Sequence, residues 1–185
     1  METRTYNVYK FDELSKDGKE KALKNLQDIN IDGDFWCECI LDDWKEKLKK
    51  HGFNDAEIFF SGFWSQGDGA CFDASVNLDQ YLKGQYRVLR DKDLTARVVK
   101  NDHGYHYSHG RTRYLQIDEN NIELTARQSN LVDKLQAKLE ALRLDLSQKI
   151  YEQLKEQFEY MQSDEAIIET IEANDYDFTE DGKID

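Results

Sequence analysis

Two runs of alternating apolar and polar residues, separated by a glycine-rich segment, constrain the fold of this chain more than any other feature. The first run covers residues 56–60, and the second, which is the most regular in the chain, covers residues 70–78. A period of two residues is typical of a β-strand with one buried face. We therefore expect an antiparallel hairpin in which residues 61–69 connect the two strands.

The connection itself combines glycine with large aromatic residues. Three of the ten glycines and four aromatic residues lie within residues 60–72. The glycines on either side of Asp68 permit the positive φ angles that tight turns require. Two interpretations stay open: the aromatic side chains fold into the core, or the segment is a recognition loop. In a recognition loop, Trp64 would stack on a planar group of the partner. Hydrogen bonds would come from Ser65, Gln66 and Asp68.

Helical periodicity accounts for much of the remaining chain. Apolar residues recur every three or four positions in residues 16–29, 34–51 and 129–161, and a shorter helix is expected at residues 165–173. Ser15 is a credible N-cap for the first helix, and Gly52 stands where the second should end. In the longest helix the spacing drifts away from a heptad. This favours packing on the sheet of its own domain over a coiled coil, although a partner helix or a homodimer remains an alternative.

Further short strands complete the predicted sheet. They are expected around Tyr6, Val8 and Phe11, at residues 94–99 and 111–117, and at residues 122–125, with a short helix at residues 80–89. The fold class is therefore α+β: an antiparallel sheet of about four to five strands, packed by helices, with a long C-terminal helix. We expect residues 1–128 to form the core domain. Residues 129–185, comprising the long helix, a short helix and an acidic tail with a turn at Asp181-Gly182, would pack on this core or extend from it.

Three of the four histidines cluster between residues 103 and 109. On a strand, His103 and His109 would share one face while His106 faced the other, so the three could not ligate one metal ion. We predict no metal site and no cofactor. The segment is either a polar hairpin with incidental histidines or a binding site in which histidine supplies acid/base chemistry and arginine holds an anion. Its candidate binding residues are Tyr105, His106, His109 and Arg111.

Charge and cysteine content restrict the partners and the compartment. The chain has 38 acidic and 25 basic residues, a net charge of −13, and residues 163–185 alone carry nine acids and one base. Such a field repels nucleic acid and attracts a partner with a basic surface. An odd number of cysteines, three, favours reduced thiols in the cytoplasm. We expect no signal peptide and no membrane span, because no apolar run is long enough.

Two stretches together carry a resemblance to a known family. They are Tyr9-Lys10-Phe11-Asp12-Glu13-Leu14-Ser15 and the segment Phe60-Ser61-Gly62-Phe63-Trp64-Ser65-Gln66-Gly67-Asp68-Gly69-Ala70. The chain resembles small bacteriophage-encoded proteins that are often labelled antitoxin-like. The resemblance implies action in the cytoplasm of a bacterial host and supplies no catalytic residue set.

The leading functional hypothesis is a non-enzymatic interaction protein that binds and neutralises a host protein, either a toxin or a component of antiviral defence. An alternative is a small-ligand-binding protein or enzyme that uses residues 61–69 and 103–111. There Trp64 would stack on the ligand, Asp68 and His106 would exchange protons, and Arg111 would hold an anion. A second alternative is a structural protein that self-associates through residues 129–161.

Overall fold

A computed structural model describes residues 7–101, 107–120 and 122–185. The chain divides into two compact units. The larger contains Cys39–Leu154, and the smaller contains the chain up to Glu38 together with Lys155–Asp185. The domain division expected at residue 128 stays a prediction.

The larger unit is built on a four-stranded antiparallel sheet, which confirms the α+β prediction. Its strands are β1 (Phe53–Ser61), β2 (Gly69–Val76), β3 (Thr95–Lys100) and β4 (Arg113–Asp118), and they lie in the order β1-β2-β3-β4. The predicted hairpin is β1 with β2, in register at Ile58 opposite Phe72. Phe72 is fully buried and meets Phe53 edge to face at 5.2 Å. The alternating apolar residues of β2 therefore form one side of the core, as their period predicted.

The first strand begins three residues before the alternation becomes visible in the sequence. A register shift lies between Asn54 and Glu57, and Asp55 between them has a φ of 51°. A bulge of this kind inserts an extra residue and reverses which side chains face the core. The period of two is consequently broken upstream of residue 56.

Two long helices belong partly to this unit: α2 (Phe35–Lys50) and α3 (Ala126–Met161). Helix α2 ends as predicted, because Gly52 follows it with a φ of 79°. Helix α3 runs along the outer edge of the sheet. The backbone N–H of Leu115 donates to Glu140 Oε2 at 2.9 Å, and that of Ile117 donates to Gln136 Oε1 at 3.1 Å. Side chains one turn apart on α3 thus pair with alternate residues of edge strand β4, which protects that edge.

The smaller unit packs α1 (Lys16–Asn25) with α4 (Asp164–Ala173). Both helices begin at a serine N-cap, Ser15 and Ser163. Their core centres on Phe178, which is fully buried and forms antiparallel bridges with both Tyr9 and Ile184. The predicted turn at Asp181-Gly182 is confirmed as the reversal before Ile184, and Gly182 has a φ of 75°.

Four local predictions were wrong in part. Phe11 does not extend a first strand but begins a short 3-10 helix, and Val8 pairs with no strand among the described residues; Tyr6 lies outside the described residues. The first helix stops at Asn25 rather than at residue 29. Residues 80–89 contain the last residue of one 3-10 helix, Leu78–Gln80, and the whole of another, Gly84–Leu89, rather than one helix. Residues 122–125 form no strand.

That last segment leads into α3 instead. Thr125 Oγ1 accepts from the backbone N–H of Gln128 at 3.3 Å, and Gln128 Oε1 accepts from the N–H of Thr125 at 3.0 Å. This reciprocal pair is a capping box. The Thr-x-x-Gln sequence therefore starts the helix three residues before its apolar pattern becomes clear.

Candidate functional site

The structure brings the glycine-rich loop and the end of the histidine-rich segment together. Ser61 Oγ donates to the carbonyl of Ser108 at 2.9 Å and accepts from its N–H at 3.1 Å. A Cβ placed on Gly67 would lie 3.4 Å from the ring of Tyr107. On Gly69 it would lie only 2.7 Å from His109 Cδ2. The loop glycines thus permit residues 107–109 to pack directly on the loop.

Asp68 fixes the shape of the loop from within. Its Oδ2 accepts from the backbone N–H of Trp64 at 2.8 Å and from that of Ser65 at 2.6 Å. The N–H of Asp68 in turn donates to the carbonyl of Ser65 at 3.1 Å. Gly62 lies against the same carboxylate, and a Cβ there would come within 2.7 Å of it. The carboxylate therefore has a structural role in this conformation.

The aromatic residues of the loop point in two directions. Phe63 is buried and stacks between Phe60 and Tyr151, with ring centroids 6.0 and 5.7 Å away. Trp64, the next residue, exposes 70% of its surface. One ring therefore anchors the loop to the core and the next is presented outward, and the interpretation as a recognition loop stays a prediction.

His109 has a defined protonation preference. Its Nδ1 accepts a hydrogen bond from the backbone N–H of Arg111 at 3.0 Å, so the neutral ring carries its proton on Nε2. Burial lowers the pKa of His109 below its usual value, and the positive charges of Arg111 and Arg143 lower it further. His109 is therefore a neutral hydrogen-bonding group near pH 7.

A cavity of about 290 Å³ opens beside this histidine. Strand β2, the 3-10 turn Gly110–Thr112 and helix α3 enclose it. Its polar lining contains His109, Arg111, Ser147 and Gln148, and its other lining residues are Gly69, Ala70, Gly110 and Leu144. Arg111 is exposed at its border, whereas Ser147 is only 2% exposed. Among the described residues, the Ser147 hydroxyl makes no hydrogen bond.

A fully buried cation lies on the helix one turn before Ser147. Arg143 donates to both carboxylate oxygens of Glu140, from Nη2 at 2.6 Å and from Nε at 2.8 Å, and to the carbonyl of Gly110 at 2.8 Å. Glu140 also accepts from β4, so this pair ties the 3-10 turn and the edge strand to α3. An ion pair whose guanidinium is fully buried and makes this many hydrogen bonds holds the wall of the cavity in place.

The site residues proposed from sequence fall into three groups. Trp64, Ser65 and Gln66 are exposed on the loop, and Asp68 holds that loop together. His109 and Arg111 line the cavity. Tyr105 and His106 lie outside the described residues, so their proposed roles stay predictions.

Sequence reasoning missed Arg143 and Ser147. A usable signal was present, because both occupy the buried face of α3 together with Leu139, Leu146 and Ile150. A cation and a hydroxyl on an otherwise apolar helix face indicate a buried polar site.

No three His, Cys, Asp or Glu side chains lie close enough together to hold a metal ion within residues 7–101, 107–120 and 122–185. Over the same residues, no helix is both long and apolar enough to cross a membrane.

Comparisons with known proteins give one match. Neither the curated proteins nor the solved structures contain a match to this chain. One family model, described only as a domain of unknown function, matches residues 36–164. This range contains the whole sheet, the glycine-rich loop, the cavity residues and α3 through its end at Met161. On this match, the chain belongs to the DUF8835 family of domains of unknown function.

Proposed function

We propose that this protein acts by binding another protein, and that the loop carrying Trp64 is its main contact. The observation that carries the proposal is an exposed tryptophan on a loop of fixed shape. Trp64 exposes 70% of its surface while Asp68 binds the backbone N–H groups of Trp64 and Ser65. Tryptophan is among the residues that dominate binding energy at protein interfaces.

The rigid surroundings of the loop favour this role. Phe63 is buried next to Trp64, and Ser61 is bonded to Ser108 at the start of the loop. A loop backbone already held in one conformation loses little conformational entropy on association. Tyr107, which is 42% exposed and packs on Gly67, enlarges the aromatic surface.

The net charge of −13 supports a partner with a basic surface, because complementary charges accelerate encounter and select among partners. The resemblance of the Phe60–Ala70 segment to phage-encoded, antitoxin-like proteins supports a more specific proposal. In it, the partner is a toxin or defence protein in the cytoplasm of a bacterial host, and binding neutralises it.

Self-association through residues 129–161 is a weaker candidate. Most apolar residues of α3 as far as Leu154 are already buried within the chain, although Leu144 is 38% exposed and Leu142 is partly buried. An interface on this helix would therefore have to rely mainly on its polar face.

Affinity capture from bacterial host cells tests the main proposal. Three baits are compared: the unaltered protein, Trp64→Ala, and Phe35→Ala as a matched control. Phe35 is also an exposed aromatic residue, with 81% of its surface accessible, but it lies at the start of α2. We expect one protein to be recovered by the unaltered chain and by Phe35→Ala, and to be lost with Trp64→Ala.

The purified partner should then bind with an affinity that falls as the salt concentration rises. Recovery that is equal with Trp64→Ala, or binding that is independent of salt, would contradict the proposal.

A further inference from the structure

We propose that the cavity between β2, the Gly110–Thr112 turn and α3 is a binding site for a small oxyanion, either a carboxylate or a phosphate group. This site is separate from the protein-binding role proposed above and does not depend on it. All the residues that carry the argument lie in the larger unit.

The first observation is the buried hydroxyl of Ser147. It lines the cavity, is 2% exposed, and makes no hydrogen bond within the part of the chain that the structure describes. A serine in a helix commonly bonds to the carbonyl one turn earlier, and this one does not. A buried polar group without a partner is unfavourable, and native proteins rarely keep one without a reason. A ligand oxygen in the cavity would supply the missing acceptor.

The second observation is the charge of the lining. Arg111 contributes a guanidinium at the border of the cavity, and Gln148 contributes an amide, whose nitrogen also donates to Glu152 Oε1 at 3.0 Å. Among the residues that the structure describes, no carboxylate lines the cavity, although acidic residues outnumber basic ones by 38 to 25 in the chain. A lining that combines a cation with hydrogen-bond donors is suited to an oxyanion.

The third observation is the rigidity of the walls. Arg143 fixes the carbonyl of Gly110, and His109 Nδ1 fixes the backbone N–H of Arg111. Gly110 approaches α3 so closely that an added Cβ would lie 3.4 Å from Ser147 Cβ. The backbone of these walls therefore keeps its shape without the ligand, as is usual for small-molecule sites. The volume of about 290 Å³ restricts the ligand to a small molecule or to one terminal group of a larger one.

The test is an NMR titration of the complete ¹⁵N-labelled chain. Inorganic phosphate and acetate are added separately to about 50 mM, well above a millimolar dissociation constant, while sodium chloride keeps the ionic strength constant. We expect saturable shifts confined to residues 69–70, 109–111 and 144–148 with at least one of the two anions. The stronger of the two responses identifies the ligand as a phosphate or a carboxylate. Linear shifts with both anions, or shifts spread over the whole chain, would overturn the proposal.

Variants separate recognition from structure. Ser147→Ala and Arg111→Gln should each weaken binding about five-fold or more, because the first removes a hydroxyl hydrogen bond and the second removes a positive charge. Arg97→Gln is the matched control, since Arg97 is an exposed arginine on β3, outside the cavity. It should leave the dissociation constant unchanged. Equal binding by Ser147→Ala and the unaltered chain would refute the assignment.

A stability measurement supplies an independent readout. Without ligand, Ser147→Ala should unfold at the same temperature as the unaltered chain or at a higher one, because the hydroxyl has no bond to lose. A clear fall in that temperature would mean that the hydroxyl has a structural partner, and the proposal would fail. Loss of partner capture with Trp64→Ala has no bearing on either result, so the two proposals fail separately.

Discussion

Glu140→Ala should destabilise the protein more than any other single substitution on the accessible side of α3. The Glu140 carboxylate has two tasks. It neutralises the fully buried Arg143 through two hydrogen bonds, and it accepts the backbone N–H of Leu115 on the edge strand. Alanine would remove both of these hydrogen bonds. The buried guanidinium would keep its hydrogen bond to the carbonyl of Gly110 and would lose its counter-charge.

The expected cost follows from these contacts. Removing one partner of a buried ion pair costs about 3–5 kcal/mol. Glu140 keeps 31% of its side chain exposed, so water would solvate the remaining charge in part, and the lower end of that range applies. Loss of the hydrogen bond from the Leu115 N–H adds about 1 kcal/mol at most, because water can replace the acceptor. We therefore expect a loss of about 3 kcal/mol.

The assay is urea unfolding combined with hydrogen exchange at the Leu115 amide. Glu140→Gln keeps the size of the side chain and one acceptor oxygen but lacks the charge, so it should cost about 1–2 kcal/mol. Asp145→Ala is the matched control on the same helix, because it removes an exposed pair with Lys149. It should cost less than about 0.5 kcal/mol. In Glu140→Ala alone, the Leu115 amide should also lose protection.

A Glu140→Ala variant within about 0.5 kcal/mol of Asp145→Ala, with an unchanged Leu115 amide, would refute this reasoning. It would show that water solvates Arg143 as well as the carboxylate does. The edge of β4 would then need no protection from α3.

Three further predictions concern other parts of the chain. Gly182→Ala should cost more than about 2 kcal/mol in urea unfolding, because its φ is 75° and the new Cβ would lie 2.6 Å from the carbonyl oxygen of Gly18. Gly84→Ala is the control, because its φ is 58° but the space around it is open, and it should cost only about 1 kcal/mol. Because the pKa of His109 is lowered in the folded protein, the unfolded chain binds a proton at this histidine more readily, and stability should fall as pH drops below about 6.5. His109→Asn should lessen the difference in unfolding free energy between pH 7.5 and pH 5.5, as measured by urea unfolding. Burial raises the pKa of the Cys71 and Cys37 thiols, whereas Cys39 is exposed. A disulfide reagent at pH 8 should therefore modify only Cys39 rapidly. Fast reaction of more than one thiol would contradict the burial of the other two.

Features that depend on neighbouring residues were predictable from sequence. The β1–β2 hairpin, the end of α2 before Gly52 and the cap at Ser15 all follow from patterns within a few positions. The fold class followed from adding these elements together. The bounds of α3 failed by three residues because its capping box at Thr125 lies ahead of the apolar pattern.

Features that depend on distant residues were not predictable in the same way. Tyr9 forms its bridge with Phe178, which no local pattern around Val8 indicates. Leu142 belongs to the apolar pattern of residues 129–161, whereas Arg143 is the fully buried residue and Leu142 is only partly buried. A buried arginine is stable there only because Glu140 and the carbonyl of Gly110 both reach it, and the second contact spans 33 positions. The sequence of α3 therefore signals a buried polar site, but it does not show the cavity that this distant contact shapes.

The two proposed sites should respond differently to salt, and the difference follows from where their charges lie. A basic protein partner is attracted by the net charge of −13, and salt screens this long-range field beyond about 8 Å at physiological ionic strength. A small anion is repelled by the same field and attracted only at short range, by Arg111 and the donors of the cavity. Raising the ionic strength with a non-competing salt should therefore weaken partner binding strongly. It should change anion binding little, because the repulsion is screened along with part of the attraction.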